Sequence, residues 1–489
     1  MRAAAILIVL GLCTGGPGPA GETARANSAE GWEAQFHQGL ELLRAKKYPQ
    51  ARQCFQRATE LNPRFAEGFF YLAVCAQHAG DRPAAEAALR RSVTLNPTAA
   101  NGLYNLGVLL LEDNKPAEAA QYLEKAGKAG PFSPELAIYL IRAHLEAGQT
   151  GRAVSVAETA GPQFASSSEF DAIVGNLFLA HGVAGPACAA LRSADRLQPQ
   201  QPEIALPLAT ACLESKDAAS ASAALASVQD KAKDSPEYHS LQARLHFQAG
   251  EREAALDEMN SAVRLAPRDP SLLLTLGRFY QKYGEQQKAV AVLQKAADLE
   301  PGSPDPLYSM AVSYITAEDQ AAAIELLDRA LTLDPHFDQA LFLLGSIHLA
   351  AVRLEEAEKP LAEALRLQPR NPFYHCFFGM LRAQQNRLDN AQSEFRQALA
   401  IRPSYALPHF HLGRLLERKE EYPQAVAELE KAVSLQPDMA EAYYQLGLLL
   451  HKLGQTEKAD QALARFKSLR DAELSERAIV LKELQDTVR

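Results

Sequence analysis

The chain has 489 residues, 47% of them hydrophobic and 22% charged, and a formal net charge of −9 at pH 7. These fractions are ordinary for a folded soluble protein. The acidic balance sets aside nucleic-acid binding, which draws most of its affinity from cationic side chains on phosphates. At about 150 residues per domain the length suggests three domains, a rule that lapses for a repeat array, which grows as one body.

Residues 1–26 read as a signal peptide and short leader. Arg2 precedes a nearly unbroken apolar run from Ala3 to Leu12, and glycines from Gly15 to Gly21 break any helix. Gly18-Pro19-Ala20 and Ala24-Arg25-Ala26 are small-x-small cleavage candidates. The run is shorter than the ~20 residues that span a bilayer. Cys13 would suit a lipoprotein anchor, but Leu12 before it is large where that processing needs a small residue. The cleaved form is the preferred reading, which makes the mature chain exported, periplasmic or extracellular, with no transmembrane span.

From Trp32 onward the sequence falls into thirteen rows of 34 residues, starting at 32, 66, 100 and so on to 440. The twentieth column is alanine in all thirteen, from Ala51 and Ala85 to Ala425 and Ala459, without an insertion or deletion. Column 8 is Gly or Ala in twelve rows, Ile141 being the exception. Small residues at columns 8, 20 and 27 let two helices approach, and large ones at 7, 11 and 24, such as Leu106, Leu110 and Leu123, fill the space beside that contact. Column 15 is Gly or Asn in eight rows, residues that tolerate the left-handed backbone ending a helix. Column 32 is proline in ten of the twelve rows that continue into another, Ala165 and Lys233 being the exceptions. That proline ends the second helix and forces an extended residue before it. Each row is therefore helix A, a tight turn, helix B and a second tight turn.

This pattern resembles the tetratricopeptide repeat family: a 34-residue helix-turn-helix unit with small residues at set columns and a proline near its end. The tryptophan expected at column 4 is missing throughout, and the single Trp, Trp32, stands in column 1. The resemblance covers residue 32 to about 470. It implies an all-α, right-handed solenoid of thirteen repeats over 32–473, with helix A lining a concave groove. One row cannot bury its apolar face alone, so neighbours must stack.

Rows four to six are the expected weak stretch, with a joint between about 160 and 235. Gly161-Pro162 cuts helix B of row four short, Pro207 falls inside helix A of row six, and Ala218 to Val228 is nearly all Ala and Ser. At the far end, Gln455 to Arg489 contains no Gly or Pro, and Leu474, Ala478, Leu481, Leu484 and Val488 fall at helical spacing. We read 474–489 as the end of a C-terminal capping helix over row thirteen. The alternative is a dimerisation helix that would make a homo-oligomer.

Chemistry is sparse. The sequence holds no zinc-type ligand pairs, phosphate-binding glycine loop or nucleophile elbow, so no catalytic residue, cofactor or metal is expected. His409-x-His411 and His375-Cys376 form the one metal-like group. His375 and His409 share column 4 in adjacent rows, which at helix spacings of about 9–10 Å is too far for one ion. Five cysteines follow Cys13. Cys54 with Cys75, and Cys188 with Cys212, each join a helix B to the next helix A. Either pair could form a disulfide in an exported protein, but small buried thiols are the preferred reading for both.

The groove is the expected working surface, and columns 2, 5, 9, 12 and 13 would face it by the resemblance. Column 5 carries aromatic ladders, Phe36, Phe70 and Tyr104 at one end and Tyr308, Phe342, Phe410 and Tyr444 at the other. Such rings are as often packing as contact. Basic residues in these columns stand out in an acidic chain: Arg244, Arg278 and Lys282 in rows seven and eight, and Arg414, Arg418 and Lys452 in rows twelve and thirteen. Phe342, Phe410 and Tyr444 are the expected apolar anchors. The functional expectation is an exported scaffold or adaptor that binds peptide or helical segments of other proteins and is not an enzyme. The alternatives are an accessory repeat subunit of cell-surface polysaccharide or secretion machinery and, last, an enzyme built from groove residues.

Overall fold

The computed structural model describes residues 31–470, which form twenty-six helices from Trp32–Arg44 to Thr456–Arg470, with no strand among the described residues. The signal segment at 1–26 and the capping segment at 474–489 lie outside the described residues. No helix among those described is long and apolar enough to cross a membrane. Helices alternate as the rows require: helix A of row one is Trp32–Arg44 and helix B is Tyr48–Leu61, and the pattern repeats without insertion to Ala440–Lys452 and Thr456–Arg470.

The repeat columns translate directly into contacts. All thirteen column-20 alanines are 0% exposed. In eight rows a glycine at column 8 lies against the side chain at column 24. A Cβ there would meet Phe55 from Gly39 at 2.7 Å, Leu123 from Gly107 at 2.6 Å and Leu293 from Gly277 at 2.5 Å. Row four inverts the pair. The large Ile141, itself 0% exposed, takes column 8, and the small Ala157 takes column 24. The exception in the sequence is thus a volume-conserving exchange, the kind of change a close-packed core tolerates.

The turns are equally regular. Column 15 has φ between 57° and 77° in every row, whether Gly (Gly80, Gly148, Gly284), Asn (Asn114, Asn386), or the charged and β-branched Lys46, Lys216, Glu318, Glu420 and Val352. The geometry is set by the repeat, and five rows hold it with residues that resist it. At the other turn the residue before the proline is extended, with ψ 87° at Asn62 and 88° at Asn96, as proline requires of its predecessor.

The chain divides into two compact units, one ending at Gly250 and the other beginning at Glu251. That boundary falls after the stretch where the sequence suggested a joint. Helix B of row four is shortened to Thr150–Ala160, as Gly161-Pro162 implies. Helix A of row six, however, runs unbroken through Pro207 from Pro202 to Glu214. One buried cluster continues from Ala137 to Leu241, and the Ala-rich helix B of row six joins it through Ala221, Ala224, Leu225 and Val228. In the second unit the core runs from Ala289 through Leu327 and Phe395 to Ala459, each 0% exposed.

Candidate functional site

Most of the aromatic ladder is core. Phe342 is 3% exposed and Phe410 2%, so neither can take the anchor role expected of it. Phe36 and Tyr308 are buried as well, as is Cys376, which holds the same column in row eleven. For Phe36, Tyr308 and Phe342 the reason is that the next row, or the turn leading into it, lays a second ring on column 5. Phe342 stacks on Tyr374 with centroids 4.6 Å apart, Tyr308 meets Phe337 at 5.2 Å, and Phe36 meets Phe65 at 4.8 Å and Tyr71 at 5.7 Å. Tyr374 also donates its hydroxyl to Asp338 at 2.7 Å. Burial pushes the Tyr308 and Tyr374 hydroxyls well above the usual tyrosine range, with the Asp338 carboxylate adding to the effect at both. Phe65 and Phe337 both stand in column 34, and columns 5 and 34 taken together mark Phe36 and Tyr308 as packing.

The first unit leaves Phe70 and Tyr104 half-buried. Tyr104 packs edge-on against Tyr139 at 5.9 Å. In the second unit the exposed apolar groups on a groove-side helix are Tyr444, 40% exposed, and Leu448, 42% exposed, one turn apart on helix A of row thirteen. Leu448 is in column 9 and does not stand out among the many leucines of the sequence.

The basic residues separate into three situations. Arg244 is half-buried in the first unit, whereas Arg278 and Lys282 are exposed or nearly so in the second, so only the latter two belong together within one unit. None of the three has a hydrogen bond or ion pair among the described residues. Arg418 and Lys452 are tied to the row before them: Arg418 donates to the Ala383 carbonyl at 3.2 Å and Asn386 Oδ1 at 2.9 Å, and Lys452 donates to the Tyr422 hydroxyl at 3.0 Å. Arg414 is exposed, lies over the Phe410 ring at 5.5 Å, and has no carboxylate partner among the described residues. Arg414 and Leu448 occupy the same column in adjacent rows, and their two helices touch. Arg414, Tyr444 and Leu448, with Arg418 and Lys452 beyond them, therefore define a mixed basic and apolar surface at the end of the array.

The histidines serve the fold. His375 Nδ1 faces Glu394 at 2.7 Å and its Nε2 faces the Pro369 carbonyl at 3.0 Å. His409 repeats the arrangement with Glu428 and the Pro403 carbonyl. Both nitrogens of the His375 ring meet acceptors, which only the doubly protonated imidazolium satisfies fully. Burial alone would lower the His375 pKa, but the bonds to Glu394 and Pro369 and the Glu394 charge together raise it. His411 lies flat on Phe395 at 5.8 Å, and desolvation, aided by the Arg414 charge, drives its pKa down to about 3. The two rings of His409-x-His411 thus have opposite environments.

Cys188 and Cys212 are joined in a disulfide, with Cα atoms 5.1 Å apart. This corrects the preference for free thiols at that pair, and the pairing is the one the row geometry allowed. Cys54 and Cys75 are free and buried, as preferred, and burial pushes the Cys75 thiol up to about 12. Asp217 approaches the two bonded sulfurs, all three ligand atoms lying within 4.8 Å of one another. Its carboxylate is already held by Arg192 at 2.6 Å.

Family models described as "Tetratricopeptide repeat" match residues 36–100, 76–134, 240–304, 308–372 and 378–433, and further models of that description match 110–177, 179–245 and 440–472. A "TPR repeat" model matches 418–454. No curated protein matches the chain. Among solved structures, the Cut9–Hcn1 hetero-tetramer of the APC/C is 15% identical over 91% of this chain and 95% of that one, with a TM-score of 0.44. Yeast Tom70 is 18% identical over 94% and 96%, at 0.40. YrrB, described as a TPR protein with an unusual peptide-binding site, is 23% identical over 38% of this chain and 97% of its own, at 0.33.

Proposed function

The chain belongs to the tetratricopeptide repeat family, and from that premise we propose that it is an exported scaffold holding a segment of a partner protein on the helix-A face of rows twelve and thirteen. The observation that carries the reading is Arg414: an exposed guanidinium without a carboxylate among the described residues, beside the exposed Tyr444 and Leu448. A cation in that setting suits a partner carboxylate, and the two side chains suit an apolar residue next to it. Covering the exposed 40% of Tyr444 and 42% of Leu448 yields about 1 kcal/mol each, scaled from full burial. A hydrogen bond to a charged group adds ~1.5–3 kcal/mol. A micromolar complex needs about 8 kcal/mol net of the cost of ordering the segment. The footprint must therefore extend past these three residues, and Arg418 and Lys452 are the next basic groups along it.

Export rests on the charged, apolar and small-residue order of residues 1–26. The test of binding is a partner recovered by crosslinking from envelope extract, titrated against Arg414→Glu, Arg418→Glu. The double variant should lose at least tenfold in affinity, and an unchanged affinity in a variant that still folds would remove this surface as the binding site. Intact mass tests export separately: the mature chain should lack Met1 through a residue near Ala20 or Ala26.

A further inference from the structure

The Cys188–Cys212 disulfide joins helix B of row five (Ala184–Leu197) to helix A of row six (Pro202–Glu214), so it is a bond between repeats. Helix B of row four is short, and helix B of row six, mostly Ala and Ser, joins the shared core through Ala221, Ala224, Leu225 and Val228. Both cysteines are buried, Cys188 at 4% exposure and Cys212 at 0%. Directly beside the bond is an ion pair at the solvent boundary. One terminal nitrogen of Arg192 lies 3.3 Å from Cys188 Sγ, 4.0 Å from Cys212 Sγ, 2.6 Å from Asp217 Oδ2 and 2.7 Å from Ser220 Oγ. The side chains of Arg192 and Asp217 are 43% and 38% exposed. Asp217 is itself anchored, accepting the Ser220 backbone N–H at 3.1 Å as the cap of helix B of row six. Asp217 and Ser220 thus hold the guanidinium nitrogen against the Cys188 sulfur.

We propose that Cys188–Cys212 is a gated redox lock between rows five and six, with the Arg192–Asp217 pair as its gate. The reaction is thiol–disulfide exchange with a dithiol reductant. A thiolate of the reductant attacks one cysteine sulfur, forming a mixed disulfide and releasing the other cysteine as thiolate. The reductant's second thiol then displaces the first cysteine. Two electrons pass to the protein, both cysteines end as thiols after protonation, and the reductant leaves as its own disulfide. The attacking sulfur needs a path to a buried bond, and that path opens when the guanidinium swings away from Asp217 into solvent. Once reduced, rows five and six are held by packing alone.

The test compares the full-length protein with Arg192→Ala and Asp217→Asn, using dithiothreitol as the reductant and mass spectrometry of alkylated Cys188 and Cys212 as the readout. Asn retains the helix cap but removes the charge that holds the guanidinium. Both variants should be reduced at least tenfold faster than the native protein. Equal rates in all three would overturn the gate. A slower Arg192→Ala with a faster Asp217→Asn would overturn it too, because the guanidinium would then be activating the sulfurs by its charge. Amide exchange in rows one to three must stay native for either variant to count, and Arg192→Lys, which keeps the charge but shortens the bulk, supplies an intermediate rate if the alanine variant unfolds. The lock itself requires that amide exchange in 184–197 and 202–214 quicken on reduction. Unchanged protection there, or free thiols at both positions in protein purified under oxidising conditions, would overturn it.

Discussion

Replacing Val352 by glycine should stabilise the array around row ten. Val352 holds the column-15 turn at φ 58° with its side chain 68% exposed. A non-glycine residue in the left-handed region costs ~1–2 kcal/mol, and a β-branched one belongs at the upper end. Against the relief stands the extra backbone freedom of glycine in the unfolded chain, ~0.5–1 kcal/mol. Loss of the third of Val352 that is covered costs about 0.5 kcal/mol more. The net gain is about 0.5–1 kcal/mol, the difference of these contributions. Val352→Ala keeps the unfavourable backbone preference and should gain almost nothing, which separates relief of strain from removal of an exposed apolar group. The reverse change tests the same balance: Gly284 has φ 77° and no atom within 4 Å of the space a Cβ would fill. Gly284→Val should therefore destabilise by ~1–2 kcal/mol through conformation alone. Stacked repeats do not unfold as one two-state body, so the assay is local: amide exchange by mass spectrometry over Asp338–Ala350 and Leu354–Leu367, the helices flanking Val352. A gain of that size slows exchange there by roughly two- to fivefold. Exchange in Val352→Gly as fast as in the native protein, or an equal slowing in Val352→Ala, would refute the reasoning.

Row four offers a packing test. Ile141→Ala should cost ~2–5 kcal/mol, and adding Ala157→Leu should recover at least half, because Ala73 with Leu89, Ala209 with Leu225 and Ala311 with Leu327 already use that pair. No recovery, measured by amide exchange over Pro134–Glu146 and Thr150–Ala160, would mean that columns 8 and 24 do not meet in this row. The His375 clasp predicts a pH effect. Its pKa is raised above the ordinary 6.5, so its stabilisation is complete below that value and fades as pH climbs through the folded pKa. His375→Gln should therefore lose stability relative to the native protein at acidic pH and much less at alkaline pH; a difference that does not vary with pH would contradict the imidazolium. The Glu428 carboxyl, held low chiefly by its bond to His409, gives the opposite limb: its contribution is lost as pH falls through the folded value. Glu428→Gln should flatten the acid side of the stability profile, and an unaltered acid limb would show that the bond adds nothing to folding.

The repeat, its turns and its close contacts were legible because each depends on residues within one row. The column-20 alanines and the column-8 glycines meet partners less than one row away, so a 34-residue frame exposes them. The left-handed turn at Val352 or Glu318 was visible only through the other rows, since neither residue signals it. Burial of Phe342 and Phe410 was not legible from their own rows, because what fills the space beside a column-5 ring includes side chains from the following row, as Tyr374 does for Phe342. The Cys188–Cys212 bond was legible as a pairing but not as a choice, because Cys54 and Cys75 likewise lie on a helix B and the next helix A and remain thiols. The unit boundary at Gly250 carries no mark in its own row, whereas the prolines and alanines of rows four to six drew attention to a stretch that packs continuously.

If the helix-A face of rows twelve and thirteen is where this chain meets a partner, a probe placed on it should capture that partner in cells, whatever its identity. The measurement is photo-crosslinking from a reactive residue at Leu448, compared with one at Leu299, which lies on a helix B and is equally exposed at 41%. Position 448 should yield discrete crosslinked proteins that vanish with Arg414→Glu, Arg418→Glu, and position 299 should yield none. Crosslinks of equal yield from both positions, or products at 448 that persist in the charge-reversed variant, would contradict a partner site on this face.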